Sequence, residues 1–284
     1  MEKIAVMTDT NSSITTKEAE ELGIYLTKMP FTIDGEEYIE DVNCTYEDFC
    51  TRLDNGADVS TAQPALGDLL DSWDELLKSY DKILYIPMSS ALSGSCETAK
   101  GMAQDYDGKV LVIDNKRISI SQRRSALDAL TMIKRGMSAE EIKTYLENDA
   151  FNSSIYLAVN TLDLLKKSGR ITSAAATIAT IMNIKPVLQI QGGKLDSYAK
   201  ERGMKKAEKI MLHAIEQDQE KRFSQGNSRI YAAYSGNAEE GEEWAKTVRE
   251  YFKDPTIELY RLPISIVCHI STGVHAIGIM GYLS

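Results

Sequence analysis

The 284-residue sequence is poor in the residues that would announce a membrane, metal or nucleotide protein. It holds three histidines, five phenylalanines, two tryptophans and six prolines. No apolar run approaches the roughly 18–20 residues that a membrane span needs. The start, Met1-Glu2-Lys3-Ile4-Ala5-Val6-Met7-Thr8-Asp9, has no apolar run behind a basic head, so no signal peptide is expected. The four cysteines, Cys44, Cys50, Cys96 and Cys268, match no CxxC or other zinc-ligand spacing. They read as reduced thiols used as small hydrophobes, and the chain as cytoplasmic and metal-free. Neither GxxxxGKS/T nor GxGxxG occurs, so nucleotide phosphates lack a ready cradle. GxSxG is missing too, which removes the commonest nucleophile elbow. Positive charge is in deficit, 32 Lys+Arg against 42 Asp+Glu for a net −10, which disfavours nucleic acid as a partner.

With 43% hydrophobic and 26% charged residues the chain is ordinary globular material, and its length suits one large or two ordinary domains. The first half alternates β-branched runs with helical patterns. Strands are predicted at 4–8, 24–29, 31–33, 82–86 and 109–113, and helices at 16–22, 46–53, 65–80, 94–106, 122–135 and 139–148. Such alternation indicates βαβ units and a mainly parallel sheet with helices on both faces. After a hinge near residue 150 the pattern restarts, with strands at 155–159, 186–190, 228–234 and 257–262. Helices are predicted there at 162–167, 174–182, 204–217 and 239–252, with a terminal helix near 274–280. The fold class expected is α/β in two domains. The first, 1–150, is Rossmann-like, with its sheet flanked by helices; the second, 151–284, is a smaller α/β domain.

Ligands of open α/β sheets bind beyond the carboxyl ends of the strands. Small polar clusters follow the predicted strands of the first half: Asp9-Thr10-Asn11-Ser12-Ser13, the 87–95 stretch ending Ser93-Gly94-Ser95, and Asp114-Asn115. Ser60-Thr61-Ala62-Gln63-Pro64 is similar and leads into the long amphipathic helix. Ser93-Gly94-Ser95 opens a helix, whose free N–H groups and dipole favour an anion. Each such hydroxyl can equally be an ordinary cap or turn residue. Between residues 164 and 209 the sequence carries a net +7. Those cations form either a solvated face or a docking surface for an acidic partner.

In order along nearly the whole chain, these segments resemble the DegV family of bacterial fatty-acid-binding proteins. Met7-Thr8-Asp9-Thr10 is similar to its TDS opening, Thr61-Ala62-Gln63-Pro64 to its TSQP loop, and residues 89–95 to its SSxLSGT loop. Residues 165–171 resemble its LKKGGRI segment. Residues 184–188, 193–195 and 200–202 resemble its IKPIL, GKL and KxR block. The resemblance implies two α/β domains enclosing one long-chain (C14–C18) fatty acid, with its carboxylate between them. It implies that the acid is hydrogen-bonded by Thr61 and Ser93, with Gly94, Ser95 and Ser271 close by. It also implies no cofactor and no catalysis by the chain itself. In some members the acid is presented to a separate ATP-dependent fatty-acid kinase, and arginines matching Arg170 and Arg202 belong to the surface that meets it.

The sequence departs from the family pattern in three places. Ala62 removes one hydroxyl, and residues 115–125 lack the usual glycines. With the family's C-terminal HxGPGAxG aligned on Gly273, Ala276 and Gly278, Ser271 falls where the family has its loop histidine, with His269 and His275 flanking it. A rival reading is an acyl-transfer or hydrolytic enzyme using a serine nucleophile with His269 or His275 as base. A kinase-independent lipid-sensing regulator is a third. Burying about 14 methylenes at roughly 0.8 kcal/mol each supplies on the order of 11 kcal/mol of gross driving force. The carboxylate end must then recover its lost water through donors on the protein.

Overall fold

A computed structural model describes residues 2–177, 184–224 and 227–283. The chain divides into two compact units, Met1–Pro30 with Ala62–Phe151, and Phe31–Thr61 with Asn152–Tyr282.

The chain begins with β1 (Ile4–Asp9), α1 (Thr16–Leu22) and β2 (Ile24–Thr27). It then leaves the first unit for β3 (Pro30–Ile33), β4 (Glu36–Ile39), α2 (Tyr46–Asp54) and β5 (Val59–Thr61). It returns through α3 (Leu66–Leu76), β6 (Lys82–Ile86), α4 (Ser95–Ala103), β7 (Val110–Val112), α5 (Ser119–Lys134) and α6 (Ala139–Asn148). The first sheet runs β2-β1-β6-β7 and every pair in it is parallel. Its strands carry two buried faces at period two. Ile4, Val6, Leu84, Ile86, Leu111 and Ile113 pack with Ala19 of α1, Ala126 and Ala129 of α5 and Ile142 of α6. Ala5, Met7, Ile83, Tyr85, Val110 and Val112 pack with Leu69 and Trp73 of α3 and Cys96 and Ala99 of α4. Helices therefore cover both faces, as parallel strands require.

Beyond Phe151 come β8 (Ser153–Ala158), α7 (Asp163–Ser168), α8 (Ser173–Ala176), β9 (Ile184–Ile190) and β10 (Asp196–Arg202). They are followed by α9 (Met204–Lys221), β11 (Ser228–Tyr234), α10 (Ala238–Phe252), β12 (Glu258–Arg261), α11 (Ile264–Ile270) and β13 (His275–Gly281). The second sheet is β10-β9-β8-β13-β11-β12, antiparallel except for β11 with β12. On one face Tyr156, Val187, Ala232, Ile277 and Ile279 pack against Met211 and Ile215 of α9 and Trp244 and Val248 of α10.

Several expectations change. Residues 274–280 form not a terminal helix but β13, the strand between β8 and β11. A buried apolar run cannot be assigned by periodicity alone, and Gly278 and Gly281 weigh against a helix. At Gly278 a Cβ would stand 3.3 Å from the Ser154 carbonyl oxygen, so the close strand approach uses the missing side chain. The helix lies just upstream, as α11, where Pro263 precedes the first helical residue and leaves no N–H unmet there. The part of the predicted 174–182 helix beyond residue 177 falls outside the described residues.

The division at 150 needs the largest revision. Residues 31–61 cluster with the second unit, which makes that unit the larger of the two. Their three-stranded sheet, β4-β3-β5, has its own core, with Phe31 fully buried edge-on to Phe49 at 5.4 Å. Polar ties then fix this strap to the second unit. The Gly236 N–H donates to the Tyr46 hydroxyl at 3.0 Å, and the Thr272 hydroxyl donates to Asp54 at 2.5 Å. Replacement of Phe31 by Ala should cost about 3–5 kcal/mol. Amide exchange is expected to rise in α11 and β5 while β1 and β6 keep their protection; equal loosening of both groups would place the strap with the first unit instead.

Candidate functional site

In the first unit the polar loops gather at the carboxyl edge of the parallel sheet. Asp9, fully buried at the end of β1, accepts from the N–H groups of Asn11 (3.0 Å) and Met88 (2.8 Å) and from the Gln122 side chain (3.0 Å). Burial raises its carboxyl above the ordinary range, although the donors around it pull the other way. The Ser90 N–H donates to Asp114 at 3.2 Å, which ties the β6 loop to the β7 loop. Asp114 is held down to about 2 against the effect of its burial, chiefly by the Lys116 ammonium and the Ser90 donors.

Ser93, Gly94 and Ser95 stand together at the start of α4. Ser93 Oγ accepts from the Ser95 N–H at 3.2 Å and lies 2.9 Å from Ser95 Oγ. When Ser95 donates in that pair, the Ser93 proton is left to point at an anion. Gly94 supplies no side-chain cap to the helix. A Cβ there would meet the Gln63 amide nitrogen at 2.9 Å, so Gly94 admits Gln63, whose oxygen accepts from Thr98 at 3.1 Å.

In the second unit Thr61 ends β5 and faces α11. Its Oγ1 lies 3.0 Å from Nε2 of His269. The opposite ring nitrogen, Nδ1, is buried with no partner among the described residues. A buried N–H left unpaired costs about 1–3 kcal/mol, more than an unpaired lone pair, so the proton belongs on Nε2. Thr61 then accepts from the histidine and keeps its own proton for a ligand. Burial, and after it the nearby Arg170 cation, lower His269 to about 4, so the ring is neutral at pH 7.

Val59, Ser60 and Thr61 of the strap form one wall of a recess of about 230 Å³; Leu164, Lys167, Ser168, Arg170, Cys268 and His269 form the rest. Such a volume lies below the usual range for a whole small-molecule ligand. Arg170, expected on a docking surface, lines this recess. It is positioned by Gly169, whose left-handed backbone (φ +70°) ends α7. Its guanidinium donates to the Ser168 carbonyl. Lys167 pairs with Asp58 of the strap. A permanent cation thus lines the same recess as the hydroxyl and lies near enough to His269 to lower it, which sequence reasoning did not foresee. Arg202 lies elsewhere, exposed at the end of the edge strand β10, with Lys200 exposed on the same strand.

Ser271 follows α11 with φ +70° and ψ −178°, a region almost confined to glycine. Gly273 is also left-handed (φ +68°), and a Cβ there would meet the Asn160 amide at 2.4 Å. These dihedrals fit the HxGPGAxG pattern displaced by two residues, with His269 at its histidine, Ser271 at its first glycine and Gly273 at its second. His275 is turned away. Its Nδ1 pairs with Glu208 at 2.7 Å, and its ring stacks on Trp244 at 5.5 Å. Neither histidine is bonded to a serine, and nothing orients Nδ1 of His269 as an acid would in a catalytic triad.

Residues 3–283 match the family model for DegV, whose description is "uncharacterised protein, DegV family". A DegV domain-containing protein of Staphylococcus aureus is 33% identical over 196 residues, 69% of this chain and 70% of its own length. The crystal structure of a fatty-acid-binding DegV family protein from Streptococcus agalactiae superposes with a TM-score of 0.89 at 25% identity, with both chains fully covered. That of DegV from Bacillus subtilis, described as a fatty acid binding protein, gives 0.85 at 27% identity, covering 99% of this chain and all of its own.

Two outcomes follow from the geometry. Ser271→Gly should raise stability by about 1–3 kcal/mol, read as a higher melting temperature, because it relieves the left-handed strain. His269, neutral in the folded chain, binds a proton more readily when unfolded, so its contribution to stability is lost as pH falls from 6.5 towards 4. Acid denaturation curves of His269→Gln should lack that component, which is on the order of 3 kcal/mol.

Proposed function

The chain belongs to the DegV family, and from that premise we propose that it binds one long-chain fatty acid of C14–C18 non-covalently, as a carrier and not as an enzyme. The observation that carries the reading is the Thr61–His269 hydrogen bond in a recess walled by Arg170. A neutral imidazole directs the threonine proton outward and a guanidinium balances the ligand's charge, which is the chemistry a carboxylate needs on leaving water. Thr61 and Ser93 are the proposed hydroxyl donors, with Gly94 and Ser95 shaping the Ser93 loop. Ser271 acts through its backbone turn, and His269 takes the place that sequence reasoning gave to Ser271. No cofactor enters this reading. The relatives from Streptococcus agalactiae and Bacillus subtilis are themselves described as binding fatty acid, which supports the ligand class. Among the described residues no helix is long and apolar enough to cross a membrane.

A second use of the same complex is presentation of the bound acid to an ATP-dependent fatty-acid kinase. The exposed cations Lys194, Lys200, Arg202, Lys205, Lys206 and Lys209 support that reading, since an acidic partner would meet them without repulsion. The serine-hydrolase alternative loses support from the two histidines, which are engaged by Thr61 and Glu208.

Protein purified from bacterial cells is expected to show, by native mass spectrometry, an added mass of one C14–C18 acid that disappears on denaturation. An adduct surviving denaturation would mean an acyl-enzyme, and delipidated protein that rebinds no acid would end the carrier reading. Thr61→Ala combined with Ser93→Ala removes two hydrogen bonds to a charged group, at about 1.5–3 kcal/mol each. The dissociation constant should therefore weaken at least a hundredfold; an unchanged constant would remove both residues from the site. Arg202→Glu is expected to leave lipid affinity intact and to slow phosphorylation of the bound acid in a reconstituted kinase assay; an unchanged rate would favour the kinase-independent regulator.

A further inference from the structure

The strap's wall of the recess is held in place far from the recess itself. Glu40, just beyond β4, sends its carboxylate to the amino end of α11, where it accepts from the Ile264 N–H at 2.8 Å. Arg261, the last residue of β12, reaches the same carboxylate at 3.3 Å. The Arg261 guanidinium also lies over the Tyr46 ring of α2, 4.1 Å from its centroid. At its other end α11 presents His269 to Thr61 of the strap. A helix of seven residues is thus gripped at both ends by one segment of chain, by Glu40 at its start and by Thr61 near its finish.

We propose that Glu40 is the positioning residue of the recess: by seating Phe31–Thr61 on the amino end of α11 it holds Thr61 against His269, and its release lets the strap lift away. This rests on the reading of the recess as a ligand site, but the motion itself does not require any ligand. The carboxylate of Glu40 is 16% exposed. Burial raises it to about 7 against the pull of Ile264 and Arg261. The other groups that face it are Asp41 and Cys44 of its own segment, Tyr46 and Glu47 of α2, and Cys268 of α11. Of these, Asp41 and Glu47 oppose its ionisation. The seated strap therefore binds the Glu40 proton more tightly than a lifted strap does, where the side chain meets water. Linkage then fixes the direction: acidification through neutrality closes the strap, and alkaline pH favours opening.

Cys268 supplies a probe that needs no lipid, because it lines the recess and is only 2% exposed. Delipidated protein is labelled with a small aromatic disulfide reagent, and each cysteine is followed by peptide mapping. Cys96, buried in the first unit, serves as the internal control. Glu40→Ala should label at Cys268 at least tenfold faster than wild type, with Cys96 unchanged. Glu40→Gln keeps an acceptor for Ile264 without the charge, and holds the strap closed at every pH. The ratio of wild-type to Glu40→Gln rates at Cys268 cancels the reagent's pH dependence, and the Glu40 charge, which raises the Cys268 thiol, acts only against a rise; the ratio should still climb about tenfold between pH 6 and pH 8.5. A flat ratio, or Glu40→Ala labelling at the wild-type rate, overturns the proposal. Should the ratio climb while no fatty acid is ever bound, the strap stands and the ligand reading falls.

Discussion

In the second unit the hydrogen bond from His269 to the Thr61 hydroxyl sets the chemistry of the recess that both residues line. Its geometry sets the proton on Nε2, and that in turn sets the direction in which Thr61 can donate. Burial keeps the ring neutral, so the histidine adds no charge of its own and the positive potential comes from Arg170. On the function proposed above, a hydroxyl backed by a neutral imidazole, in a recess lined by a guanidinium, would receive the ligand's carboxylate. The same three groups would be poorly placed for general-base catalysis, because a ring held near 4 is a weak base and Nδ1 has no partner among the described residues to steady it.

That bond joins two pieces of chain 208 positions apart, and the fold is arranged to bring them together. The strap leaves the parallel sheet after β2, forms its own three-stranded sheet and comes back as α3. The crossover is more than a βα connection: it delivers β5 to α11. Tyr46, Asp54 and Asp58 add further contacts between the strap and the rest of the second unit.

Local patterning made the first unit readable. The 82–86 strand is found as β6 with the same limits, and the long amphipathic run from residue 65 is α3. There short, continuous apolar runs alternate with helices of clear 3.6 period, and that alternation of elements, with no period-two signal within the strands, identifies them. Reading failed where tertiary contact overrides local preference. The 31–61 segment looks like any loop-and-hairpin stretch, and its ties to the rest of the second unit, among them Tyr46 with Gly236, Asp54 with Thr272 and Glu40 with Ile264, decide which unit owns it. The β13 strand is apolar at almost every position because it lies inside the sheet, so its alternation is erased. Thr61 could be singled out from the motif it resembles. His269 was named from the sequence only as a candidate base, because the positive φ of Ser271 two residues on is hidden in a residue that is not glycine.

The Ser271 position links these levels. A residue with a Cβ is held at φ +70° and ψ −178° because its surroundings over-determine it. Its N–H closes α11 by donating to Val267, and its carbonyl accepts from Ser235 at 2.8 Å. Ser235 Oγ in turn accepts from the Val274 N–H at 3.1 Å, which starts β13 in register beside β11. The turn that orients the end of α11, and with it His269, is therefore locked to the centre of the second sheet. The strap fixes the other partner, Thr61, from the opposite side, and the bond between them exists only when both supports are in place.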